Sequence, residues 1–209
     1  MLVQPYTPTT SGAWNEFAAN AKNSHFFFQR DYMEYHRDRF EDDSLLFYDE
    51  KGRLLALLPA TKHGETIISH GGLTFGGFLV GERMTVETML DVMEATKKFL
   101  AGLGCRELIY KCMPYIYCSY PAEEDRYALF RAEAELIRRD VSTAIFLPKR
   151  YGCSCMRKRA VKKGQRQGVQ VRESKDFATY IAMLNAVLQK YFSFDKVLDD
   201  IKSVTGLQL

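Results

Sequence analysis

Residue types capable of chemistry gather in three stretches: SHGGLTFGGFL at 69–79, YKCMPYIY at 110–117, and a cation-rich run from Lys149 to Arg172. His70, in the first stretch, has an unperturbed pKa near ~6.5 and so can take a proton from an amine nucleophile. It can equally serve by hydrogen-bonding the glycine-rich loop that follows it. Gly71, Gly72, Gly76 and Gly77 stand within seven residues of one another, and each glycine costs roughly 0.5–1 kcal/mol of backbone entropy in regular structure. Such a density points to special dihedrals or to a close approach of the backbone to something. With Thr74 between them, the loop N–H groups are suited to an anion or to a carbonyl oxygen on which negative charge develops. Tight crossing turns would need the same glycines.

Lys111, at the end of an apolar run, is the second candidate catalytic group; as a strand-end lysine it can instead snorkel to solvent. Tyr110, Tyr115 and Tyr117, with Tyr120 beyond them, offer either the rigid amphipathic lining of a cleft or half-buried packing. The third stretch holds nine Lys or Arg and no acid, leaving 20 basic against 26 acidic residues in the rest of the chain. Within it, Arg157, Arg159, Lys162 and Lys163 suit the phosphates of a diphosphate or a tRNA, or form a solvated helix face. No aromatic residue lies between Arg157 and Arg172 to stack on bases, which weakens a nucleic-acid-binding reading.

The remainder of the sequence must position these groups. At 209 residues and 46% hydrophobic, the chain supports a sizeable core. MLVQPYTPTT lacks a signal-peptide pattern, and no window approaches the ~18 apolar residues of a membrane span; a cytoplasmic protein is expected. The five cysteines form no CxxC pair and read as reduced thiols. Cys153 and Cys155 fall short of a tetrahedral zinc set, so no metal site is expected. The G-x-S-x-G, H-E-x-x-H and G-x-x-x-x-G-K-[ST] motifs are all missing, which leaves serine-hydrolase, zincin and P-loop readings without support.

Hydrophobic periodicity predicts a first strand near Leu2–Tyr6, a helix from Ser11 and a second from about Gln29 that carries Tyr32, Met33, His36 and Phe40. A three-stranded meander follows in SLLFYD, RLLALLPATK and TIISH. After the glycine stretch come a helix capped by Thr85, a strand in ELIYKCMP, a helix from Pro121 to about Arg138 and a strand in VSTAIFLP. Ser174 and Ser193 begin two further helices. The fold class is α/β in the α+β sense: a mixed, mostly antiparallel sheet flanked by helices, with a short helical C-terminal tail.

One strand, two helices, a meander, then alternating helix and strand resembles the GNAT acyltransferase fold over residues 2–148. SHGGLTFGG, YKCMPYIY, YPAEEDRYALFR and MRKRAVKKGQRQGVQVRES together are similar to the FemAB-like branch of that superfamily. There a basic segment, matched here by Arg159, Lys162, Lys163, Gly168 and Val169, leads from one GNAT-like half into a second. The resemblance implies a first domain over 1–148, with 149–209 as the start of an incomplete second half, since roughly 35 residues follow the basic segment. It implies acyl or aminoacyl transfer to an amine of a peptide or peptidoglycan precursor. Aminoacyl-tRNA or acyl-CoA would be the cosubstrate, with no tightly bound cofactor. A murein precursor or another phosphate-bearing molecule would be the partner, and homodimerisation would complete the cleft. No Q/R-x-x-G-x-G/A run precedes the Thr85 helix, which tells against acetyl-CoA. The alternative is a non-catalytic module that binds polyanions or nucleic acid, or that self-associates.

Overall fold

The computed structural model describes residues 1–149 and 151–191. They divide into one unit ending at Asp140 and a second beginning at Val141. In the first unit, β1 (Leu2–Pro5) leads to α1 (Ser11–Asn20), which buries Trp14 and Ala18, one turn apart on a single face. The helix expected from about Gln29, carrying Tyr32, Met33, His36 and Phe40, is only the turn α2 (Arg30–Met33), followed by a 3-10 turn at Glu34–His36. Its inward residue is Arg30, not an apolar side chain, and Glu34 reaches back one turn to the guanidinium. The chain tightens there instead of continuing as an amphipathic helix.

Seven further strands follow: β2 (Glu41–Asp42), β3 (Leu45–Tyr48), β4 (Leu54–Leu58), β5 (Ala60–His63), β6 (Thr66–Ser69), β7 (Leu79–Val80) and β8 (Glu107–Ile109). They form two four-stranded sheets, ordered β1-β3-β4-β7 and β2-β5-β6-β8. All pairs are antiparallel except β6 with β8, which is parallel. The expected single sheet is divided because Pro59 splits RLLALLPATK: it has no N–H to give to a ladder. Register nevertheless carries across the break. Asp42 faces Thr61 and Leu45 faces Leu58. Between these pairs Asp43 N–H donates to Ala60 C=O at 3.0 Å and Ala60 N–H to Ser44 Oγ at 3.1 Å.

The same register shows what the glycine stretch is. Ser69 at the end of β6 faces Ala60, while Leu79 and Val80 in β7 face Leu57 and Ala56. Residues 70–78 are therefore an excursion between two short strands that pair with successive parts of the same extended segment.

The sheet is buried on both faces. Leu45, Phe47, Ala56 and Leu58 pack with Met89, Val92, Met93 and Leu100, whereas Leu46 and Leu57 pack with Trp14, Ala18 and Phe28. This is the period-two alternation of a strand, in near-continuous apolar runs because each face meets a layer of helix. Each fully buried large side chain contributes about 1.5–3 kcal/mol. The four methyl-bearing partners of the first cluster come from α3 (Val86–Gly102), whose cap Thr85 accepts from Thr88 N–H at 3.2 Å.

The helix expected over 121–138 is shorter: α4 (Glu124–Arg131) ends before Glu133, which adopts the left-handed φ of 54°. VSTAIFLP forms no strand. Val141 is 96% and Leu147 84% exposed, so its β-prone residues have no neighbouring ladder to reward extension. The division between units accordingly lies eight residues ahead of the expected one at 148.

The second unit contains α5 (Cys155–Arg166), capped by Ser154, and α6 (Phe177–Tyr191). Asp176, not Ser174, caps α6, accepting from Thr179 N–H at 3.0 Å and Thr179 Oγ1 at 2.7 Å. The helix expected after Ser193, with Phe194, Val197, Leu198 and Ile201, lies outside the described residues.

Candidate functional site

Everything chemical in the first unit converges on the excursion. His70 opens it with a left-handed φ of 56° and only 4% exposure. A non-glycine residue in that region is held there by its surroundings. Its N–H donates to Pro59 C=O at 2.9 Å, the same proline that ends β4, and its ring lies against Phe28.

The glycines are explained by close packing. A Cβ on Gly71 would stand 2.1 Å from Thr61 Oγ1, and one on Gly77, at a φ of 83°, 2.7 Å from Tyr110 Oη. Gly72 lies against the Phe40 ring and Gly76 against the Ser69 carbonyl. Loop amides are engaged as well: Gly76 N–H donates to Lys111 C=O at 3.0 Å and Phe78 N–H to Tyr110 Oη at 2.8 Å. The loop is thus a built piece of backbone, with Thr74 exposed at its tip.

Lys111 is brought to His70, as a catalytic pairing would require, but through the histidine's backbone. Its Nζ donates to Leu73 C=O at 2.8 Å and to His70 C=O at 3.4 Å, and its N–H to Ser69 Oγ at 2.7 Å. Burial, and then the charge of Arg138, hold its pKa below the usual lysine value. These bonds make Lys111 the clasp of the excursion.

The His70 imidazole is held neutral. Burial brings its pKa down to about 4, with Lys111 and Arg30 pushing the same way; a hydrogen bond to the Phe75 backbone and the charge of Asp42 oppose them. A ring with so low a pKa accepts hydrogen bonds at neutral pH but is a weak proton acceptor. Its Nδ1 is buried and without a partner among the described residues.

Arg30 was not among the candidates that the sequence offered. It is 2% exposed and pairs with Asp42 and with Glu34, the latter at 3.3 Å. Its guanidinium lies 3.5 Å from the Tyr6 ring centroid, and Tyr6 Oη donates to Glu34 at 2.9 Å. The one signal available was the pair of carboxylates at 34 and 42 following an arginine, too loose to act on. From this hub a small cleft of about 70 Å³ opens past Tyr32, Met33, Arg37 and Phe40, with Thr61, His70, Gly71, Gly72 and Leu73 on its other side.

The tyrosines separate. Tyr110 Oη donates to Asp125 at 2.6 Å and accepts from Phe78 N–H at 2.8 Å, bracing α4 against the end of the excursion. Burial and then the Asp125 charge raise its pKa well above the ordinary value. Tyr117 stacks on Phe75 with ring centroids 5.2 Å apart, while Tyr115 is 69% exposed. Phe27 stacks on Phe75 as well, so the loop has an aromatic outer wall.

In the second unit, Arg159, Lys162 and Lys163 share a face of α5 with Lys158 and Arg166 by helical spacing. Arg157 instead borders a hollow of about 400 Å³ lined by Ile145, Leu147, Lys149 and Tyr151. Among the described residues, no group of three His, Cys, Asp or Glu could hold a metal ion, and no helix is long and apolar enough to cross a membrane. All five cysteines are free thiols.

The sequence matches no protein-family model and no curated protein. Among solved structures, the chain is similar to the crystal structure of TTHA1254 (I68M mutant) from Thermus thermophilus. That likeness has a TM-score of 0.42 at 16% identity and covers 70% of this chain and 98% of that one.

Proposed function

We propose that this chain is an amine acyltransferase, a cytoplasmic member of the FemAB-like GNAT branch that its motifs resemble. Its donor would be aminoacyl-tRNA or acyl-CoA, and its acceptor an amine of a peptide or peptidoglycan precursor. The observation that carries the reading is the parallel pair β6–β8, the one parallel pair among the described strands. The ladder ends at Ile68 and Ile109, and the glycine excursion that continues β6 is tied to Tyr110 and Lys111, which continue β8. In the GNAT fold that the motifs resemble, substrate is received where such a parallel pair opens, and the reading places it beside this pair.

The transfer needs a neutral amine, an activated ester or thioester, and donors for the carbonyl oxygen. The amine nitrogen bonds to the acyl carbon, the carbon–oxygen or carbon–sulfur bond breaks, and the amine proton ends on the released hydroxyl or thiol. With a pKa of about 4, His70 serves this reaction as a hydrogen-bond acceptor that orients the amine, and not as a resting base. A polyanion-binding module is the second reading, favoured by the cationic face of α5.

The test is to incubate the full chain with charged tRNA, or with acyl-CoA, and a UDP-linked muropeptide. A gain by the muropeptide of one acyl group in place of one hydrogen supports the proposal. An unchanged acceptor with every donor, from protein shown to be folded, would refute it.

A further inference from the structure

We infer that the cleft between the Tyr32–Phe40 segment and the His70–Leu73 loop binds the donor end of a small uncharged molecule, an O–H or free-base N–H on a short aliphatic stem, with His70 Nδ1 as its acceptor. The inference stands on geometry and does not depend on the acyl-transfer reading; under that reading the bound donor is the acceptor amine.

His70 is 4% exposed and lines the cleft, and its Nδ1 is a buried polar atom with no partner among the described residues. Such an atom costs about 1–3 kcal/mol unless a ligand or an ordered water satisfies it. The neutral ring carries its one proton on one nitrogen and a lone pair on the other. We assign the proton to Nε2, which leaves the lone pair on the buried, unpartnered Nδ1. A donor is required there.

The charges around the ring decide what kind of donor. Arg30 on α2 and Lys111 beyond β8 both act on His70 as positive charges, and Asp42 on β2 opposes them. Asp42 is already paired with Arg30, and Glu34 with the same guanidinium. Arg37 adds a further cation to the lining. An ammonium entering this cleft would lose its water, the same burial that disfavours the imidazolium, while the carboxylates there are already engaged by Arg30, so an uncharged donor is selected. Glu34 and Asp42, both held by Arg30, also line the cleft, while Tyr32, Met33, Phe40 and Leu73 give it an apolar side that suits an aliphatic stem. A volume of about 70 Å³ admits a few heavy atoms beyond one water.

The experiment uses the full chain labelled with 15N-histidine, titrated with propan-1-ol, n-propylamine and tetramethylammonium. The Nδ1 resonance of His70 is expected to move with the first two and stay fixed with the third. Apparent affinity for propylamine should rise about tenfold per pH unit below the amine's own pKa, as its free-base fraction does, while that for propanol stays constant. Leu73→Trp, which fills the half-buried edge of the cleft without entering the core, should abolish both shifts with the fold intact. No movement of Nδ1 with either donor would overturn the inference. So would propylamine binding that is indifferent to pH, or binding that survives both Leu73→Trp and His70→Leu.

Discussion

Lys111 Nζ reaches the carbonyl of Leu73 at 2.8 Å, closing the excursion onto the end of β8 with a single ammonium. That bond, and its longer companion to His70 C=O, give the loop its shape. The first prediction follows from them.

Lys111→Met should lower stability by about 1–3 kcal/mol, the cost of leaving loop carbonyls without their donor. Lys111→Arg should recover part of the loss. Denaturant unfolding gives the magnitude, and amide exchange should show new openness confined to residues 70–78. An Lys111→Met chain as stable as the parent would remove Lys111 from its role as clasp.

Gly77→Ala is expected to cost about 1–3 kcal/mol, because the added Cβ meets Tyr110 Oη while the backbone is held at positive φ. Tyr110→Phe removes the nearest colliding atom but leaves ring carbon Cζ 2.8 Å from the added Cβ, and the strained dihedral. In the double variant the two effects should be non-additive, with part of the clash relieved. Strict additivity in thermal unfolding would contradict the packing described.

Asp42→Asn leaves Arg30, 2% exposed, with Glu34 as its remaining carboxylate. A loss of roughly 3 kcal/mol is expected, at the lower end for removing one partner of a buried pair because Glu34 and the Tyr6 ring stay in place. Exposed pairs such as Lys98–Glu94 should change stability by under about 1 kcal/mol when broken. Chemical denaturation of both variants makes the comparison.

The depressed pKa of His70 has a definite pH signature. Between its folded value of about 4 and the unfolded value near ~6.5, the unfolded chain binds the proton and the folded one does not. The contribution is therefore fully present above about pH 6.5 and is lost as pH falls toward 4, on the order of 3 kcal/mol in all. Asp125 and Asp43, whose pKa values burial raises, contribute with opposite sign, since the folded state holds their protons more tightly. Comparing stability curves of the parent and His70→Asn isolates the histidine. An identical slope in both would contradict a buried neutral ring.

Much of this architecture was legible in the sequence, and the exceptions share a cause. The apolar runs LLFY and LLALL announced strands because Leu45–Phe47 and Ala56–Leu58 are buried against hydrophobic layers, and Thr85 announced α3 because its hydroxyl meets an N–H three residues on. Arg30 was missed because residue type predicts exposure, while two carboxylates and two aromatic rings bury it. VSTAIFLP has strand composition, but composition does not supply a neighbouring strand. In the site, the density of glycines and the presence of His70 and Lys111 were visible. Their meeting was not, since it depends on an excursion that only strand register reveals. For Tyr110 the sequence left cleft lining and packing both open, because it carries no trace of the bond to Asp125.

The cationic face of α5 gives a prediction independent of the first unit. tRNA or a UDP-linked muropeptide should bind more weakly as salt rises, and reversing Arg159, Lys162 and Lys163 to Glu should remove most of that salt dependence. Fluorescence anisotropy at several ionic strengths reads both. Affinity indifferent to salt would place any such binding elsewhere.

The most direct measurement of the central claim is a single-turnover reaction in which a labelled acyl group on tRNA or coenzyme A is followed to the muropeptide by rapid quench and mass spectrometry. Parent protein is predicted to form the amide, and Leu73→Trp, folded but with its cleft filled, to form it at least about tenfold more slowly. Absence of amide with the parent protein and both donors, or equal rates in parent and variant, would contradict acyl transfer at this site.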